Sequence, residues 1–166
     1  MEIWDAYFAD GTPAGIDLVR SEPVPEGLYH LVCEILVRHT DGSFLLMQRD
    51  PNKDGYPGFW EATAGGSALK GETPEVCAKR ELREETGLVS NAFTRVGRCL
   101  GRNAIHYNYL CVTDCDKTSV TLQEGETVAY KWLSAPEFIA FINSDEGIPG
   151  QKKRFRPFFE DIGFVR

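Results

Sequence analysis

Glu81, Glu84 and Glu85 lie in "KRELREETGL", a stretch that reads as helix. Spaced at i, i+3 and i+4, they put their carboxylates on one helical stripe. Ala78 and Leu82 flank that stripe on an apolar side, and Lys79, Arg80 and Arg83 lie largely on the other. Like charges at this spacing cost on the order of a few tenths of a kcal/mol per pair, and more where they are partly buried. Such a run is ordinarily a solvated face. It has a chemical use if a cation is held there. Hard divalent ions take several carboxylate oxygens at once, and Mg²⁺ joins carboxylates to substrate phosphates.

The surroundings favour the chemical use. Gly66 is followed after five residues by Glu72, and after seven more by Arg80-Glu81-Leu82. One residue later come Glu84-Glu85, and one after that Gly87-Leu88. A phosphate-binding loop of the P-loop kind is excluded. Gly66 and Gly71 have its glycine spacing, but Glu72 stands where its lysine belongs.

The pattern resembles the Nudix box, with nine positions across 23 residues agreeing in type and spacing. The flanks "GSFLLMQR", "PGFWEATAGG" and "QEGETVAYKWLSAPEF" are similar to the strand, lead-in and later loop-strand-helix of that family, so residues 29–142 are largely covered. The resemblance implies an α/β fold, an α/β/α sandwich around a mixed sheet. It implies hydrolysis of a diphosphate linked to another group, often a nucleoside, with Mg²⁺ or Mn²⁺ as cofactor. Glu81 and Glu85 would be the main metal ligands, with Glu84 in support and a backbone carbonyl at Gly65 or Gly66. Arg80 would orient a box glutamate, and Glu72 would support the loop. Glu126 sits where a later glutamate completes such sites, with Glu124 as second candidate. Glu84, Glu85 and Glu126 all stand as possible general bases. Arg49, Lys53 and Lys70 are candidates to hold phosphate.

Two branches of the family compete. "WDAYFADGTPAG" and "PNKDGYPGFW" resemble the isopentenyl-diphosphate isomerase branch. That branch uses a cysteine directly ahead of a glycine and a metal-binding histidine. Aligned on Trp60 and Gly66, this chain has Gly65 in place of the cysteine and Ser67 in place of the histidine. The box is intact. A hydrolase is therefore expected, with an isomerase or a non-catalytic diphosphate-binding module as the alternatives.

The elements that must position these groups can be read in outline. Asp10-Gly11 and Asp41-Gly42 mark two hairpins. Thr73 is the expected N-cap of the box helix, Pro74 its first residue and Gly87 its stop. "DPNKDGYPGFWEATAGG" reads as turns. "FTRVGRCLG", "AIHYNYLCVT" and "TVAYKWL" read as strands, and Ser134 with Glu137 as a capping box. One domain over 1–166 is expected. It would carry an N-terminal hairpin extension over 1–25, the box loop and helix over 66–88, and a C-terminal helix over 149–163. In that last helix Phe155, Phe158, Phe159 and Ile162 would anchor, leaving Lys152, Lys153 and Arg154 solvated.

Composition bounds the partners. At 42% apolar and 26% charged the chain reads as globular. Net charge is -7, so nucleic acid and anionic membranes are not expected partners. An anionic small-molecule substrate would need local neutralisation, which again points to a metal ion. Cys33, Cys77, Cys99, Cys111 and Cys115 lack framework spacing and read as reduced thiols. "MEIWDAYFADG" has no leader-like pattern, and no apolar run reaches the ~20 residues that span a bilayer. The expectation is cytoplasmic, with a homodimer kept open.

Overall fold

In the computed structural model, which describes residues 1–166, both Asp-Gly pairs turn the chain. β1 (Ile3–Tyr7) pairs with β2 (Pro13–Val19) around the first, and β3 (His30–His39) with β4 (Phe44–Arg49) around the second. There follow β5 (Trp60–Glu61), β6 (Thr63–Ser67), α1 (Pro74–Thr86), β7 (Phe93–Leu100) and β8 (Ala104–Thr113). β9 (Thr127–Leu133), α2 (Ala135–Ile142) and α3 (Pro149–Asp161) complete the chain.

The main sheet runs β5-β4-β3-β8-β7, with β6 on β3 and β9 on β4. β3 and β8 are parallel from His30↔Ala104 to His39↔Thr113, and the other pairs are antiparallel. The sheet is therefore mixed. β3 alternates its side chains between two buried faces. Cys33, Ile35 and Val37 meet Cys77, Ala78 and Leu82 of α1 on one side. Leu36, with Phe44 and Leu46 of β4, meets Phe138, Phe141, Phe155 and Phe159 of α2 and α3 on the other. This is the expected α/β/α sandwich. The ring of Phe138 stacks on Phe44 at 4.2 Å, and burying rings of this size contributes about 2–3 kcal/mol each.

The box helix ends as its sequence dictates. The Thr73 hydroxyl accepts from the Val76 amide at 3.2 Å, and Gly87 closes the helix at φ 71°. Glu137 accepts from the amide and hydroxyl of Ser134 to open α2. No helix is long and apolar enough to cross a membrane.

Three features differ from the sequence reading. The turn-rich lead-in contains two strands, β5 and β6. Gly65 and Gly66 have low strand propensity, but β6 is held by pairing with residues 32–36 of β3. Arg154 is not solvated: it forms a two-pronged ion pair with Glu34, which is 6% exposed. Finally, Phe155 and Phe159 anchor α3, while Ile162, the residue that caps its end, is 41% exposed.

Candidate active site

β6 runs close against both β3 and α1, and glycines stand at the contacts. A β-carbon at Gly66 would lie 2.5 Å from Glu81 Oε1, and one at Gly65 would overlap the Cys33 carbonyl. The contact brings helix carboxylates against the strand backbone. Glu85 Oε2 accepts from the Gly65 amide at 3.1 Å.

Arg80 is the hub of the acidic face. Its Nε and Nη2 donate to the two oxygens of Glu72 at 2.7 and 2.8 Å. Nη1 donates to Glu81 at 2.7 Å and Glu84 at 3.1 Å, and Nη2 also to the Ser67 carbonyl at 3.0 Å. Glu72 in turn accepts from the Leu69 amide at 2.9 Å, so its carboxylate ties the loop to the helix. The Arg80 guanidinium draws the Glu72 carboxyl below the usual carboxylate range. Burial acts the other way on the remaining pair. It pushes Glu85 well above the ordinary value, with Glu61 and Glu81 adding to the rise. Burial also raises Glu81, against the pull of Arg80.

These groups open into a cleft of about 610 Å³. Gly65, Gly66, Arg80, Glu81, Glu84 and Glu85 all line it. Glu126 and Lys53 do so as well, paired with each other from two different loops. Other expected residues lie elsewhere. Glu124 does not line the cleft. Arg49 does not either: its guanidinium is occupied by Glu61 at 3.0 Å and the carbonyls of Gly55 and Asp54. Lys70 pairs with Asp17 of β2 at 2.6 Å. Reading the sequence missed Glu2, Trp4, Arg20, Leu69 and Gln123, which also line the cleft. The Asp10-Gly11 signal marked a hairpin, but nothing in a hairpin signal says which surface it covers.

No three side chains converge as a ready-made cation cage. Glu81 and Glu84 are bound to Arg80, Glu85 to the Gly65 amide, and Glu126 to Lys53. The donor chemistry still suits a hard cation. Every candidate ligand is an oxygen, and two recessed carboxylates carry an unfavourable charge that a cation would relieve.

The sequence profile of the NUDIX domain matches residues 28–156. The uncharacterized Nudix hydrolase lmo0368 of Listeria monocytogenes is 30% identical over 90% of this chain and 89% of its own. The isopentenyl-diphosphate Delta-isomerase of Corynebacterium diphtheriae is 24% identical over 84% of this chain and 67% of its own. Among solved structures, DR0079 from Deinococcus radiodurans superposes with a TM-score of 0.75 at 19% identity. That match covers 94% of this chain and 98% of the other, and it bears on the fold alone.

Proposed function

The chain belongs to the Nudix family and is a hydrolase of acid anhydrides; from that premise we propose that it is a divalent-metal-dependent enzyme cleaving the diphosphate linkage of a nucleoside diphosphate derivative. The observation that carries this reading is the meeting of Glu81, Glu84, Glu85 and Glu126 with the Gly65-Gly66 backbone in one cleft.

Glu81, Glu85, Glu126 and the Gly65 carbonyl would hold Mg²⁺ or Mn²⁺. When bound, that ion neutralises charge on the phosphate oxygens and acidifies a water. Arg80 fixes Glu81 and Glu84 at set positions and orders the loop through Glu72. Glu84 is the general base in this reading. It is the most exposed of Glu81, Glu84 and Glu85, and Arg80 binds its Oε2, leaving Oε1 to take a proton. Water attacks one phosphorus, the bridging P–O bond breaks, and the proton passes to Glu84. The products are a nucleoside monophosphate and a phosphorylated remainder. Lys53, once released from Glu126, offsets charge on the diphosphate. Gly65 also supports hydrolysis over isomerisation. The isomerase relative makes allylic proton transfer the second reading, but position 65 has no side chain and no room for one.

The test is a screen of nucleoside diphosphate derivatives with phosphate readout, run with Mg²⁺ and repeated in ¹⁸O-water. Label should enter one phosphate product. Glu81→Gln and Glu85→Gln should lower kcat at least ~100-fold, the scale of losing a key electrostatic group. Full activity in EDTA would overturn metal dependence. Interconversion of the two five-carbon diphosphates, with deuterium entering carbon from D₂O, would make the isomerase reading correct.

A further inference from the structure

The N-terminal hairpin is a built wall of the cleft. The Lys70 amide donates to the Ile3 carbonyl at 2.9 Å, and the Gly71 amide to Asp5 Oδ2 at 2.7 Å. Lys70 Nζ reaches Asp17, and Arg98 holds the Ala9 carbonyl in the turn at 2.8 Å. Trp4 is 7% exposed and stacks on His30 at 4.1 Å between centroids. Glu2 and Arg20, at the open end of this hairpin, thus stand at fixed places on the cleft.

The charges lining the cleft are unequal. Five carboxylates, Glu2, Glu81, Glu84, Glu85 and Glu126, face three cations, Arg20, Lys53 and Arg80. An anionic substrate must find a positive group that is not already consumed. Arg80 donates to Glu72, Glu81, Glu84 and the Ser67 carbonyl. Lys53 is paired with Glu126. Arg20 is paired as well, with Glu2 Oε2 at 2.9 Å, but through Nη1 alone, and its side chain is 69% exposed against 24% for Lys53 and 17% for Arg80. Glu2 is steadied in turn by the Trp4 indole N–H at 2.7 Å. The Nε and Nη2 of Arg20 are left open on a planar fork that matches two phosphate oxygens.

We propose that Arg20 is a substrate-binding residue, which holds the phosphate oxygens of the substrate against the N-terminal hairpin while Glu2 and Trp4 hold its guanidinium at the cleft. The proposal rests on the hydrolase reading for the identity of the bound group, a diphosphate. It makes the hairpin, which lies ahead of the matched family domain, part of what selects the substrate.

The test is calorimetric binding of inorganic pyrophosphate with Mg²⁺ present, to wild type, Arg20→Ala, Arg20→Lys and Arg38→Ala. Arg38 is an exposed arginine that does not line the cleft. Arg20→Ala should weaken binding ~10-fold or more with an unchanged Tm. Arg20→Lys should restore part of it, and Arg38→Ala should match wild type. On any substrate the screen finds, Arg20→Ala should raise KM by a similar factor and leave kcat within about threefold. Equal pyrophosphate affinity in wild type and Arg20→Ala overturns the proposal, as does absence of binding to wild type or an equal loss in Arg38→Ala. Failure of the hydrolase reading shows separately, as interconversion of the two five-carbon diphosphates or as no phosphate release from any derivative in the screen.

Discussion

Gly66 and Glu81 meet across the strand-helix boundary so closely that a β-carbon on Gly66 would lie 2.5 Å from the Glu81 carboxylate oxygen. The glycine of the sequence pattern and the glutamate fifteen residues later are therefore one steric unit.

Gly66→Ala should break that unit. The added methyl must push the Glu81 carboxylate aside, at a cost of about 1 kcal/mol for overpacking. We expect kcat to fall at least ~10-fold with a Tm lower by several degrees, read by steady-state kinetics and calorimetry. Wild-type kcat in this variant would show that Glu81 need not sit against β6.

Mg²⁺ should stabilise the fold. The raised values of Glu81 and Glu85 mean that burying their charge is costly, and a cation bound only by the folded chain offsets that cost. Melting temperature should rise with millimolar Mg²⁺ or Mn²⁺. The triple variant Glu81→Gln, Glu84→Gln, Glu85→Gln should lose the rise. An unchanged metal response in that variant would place the cation elsewhere.

The Glu34–Arg154 pair should behave as a buried ion pair. Arg154→Ala leaves the Glu34 carboxylate bonded only to Asn108 within the protein, which typically costs about 3–5 kcal/mol. Replacing both, as Glu34→Gln with Arg154→Met, should cost clearly less than the single change, because no buried charge remains. Urea unfolding of the two variants decides it. Equal losses would mean the pair is not coupled.

His30 should make the fold sensitive to acid. Burial, with His106 nearby, lowers its value from 6.5 to about 4. A histidine with a lower value folded than unfolded gains a proton on unfolding. Its contribution is complete above about pH 6.5 and is lost as pH falls towards 4, by about 3 kcal/mol across that window. His30→Gln should flatten the stability profile between those pH values. A profile with the same slope in that variant would assign the acid sensitivity to other groups.

Much of this is legible in the sequence. The cap at Thr73, the stop at Gly87 and the common face of Glu81 and Glu85 follow from local rules of spacing and turn chemistry. What escaped depends on long-range contact. β6 has too little strand propensity of its own to announce itself, and pairing with β3 makes it a strand. Arg154 looks like one more cation in a basic run, and only the fold brings Glu34, 120 residues away in sequence, beneath it. Arg49 and Lys53 are equivalent in the sequence, yet one is captured by its own loop and the other reaches the cleft.

The parallel register of β3 and β8 has a kinetic consequence. Each paired residue lies 74 positions from its partner, from His30↔Ala104 to His39↔Thr113. β6 and α1 both fall inside that loop. Closing so long a loop costs entropy before any contact repays it, and sheets joined this way are slow to nucleate. α1 can form early and find its seat on β3 and β6 within residues 30–86, but the other edge of β3 stays unpaired until the distant strand arrives. The helix cut out as a peptide should therefore lack the strand contacts that seat its glutamates, and pairing of β3 with β8 should be the slowest step of folding.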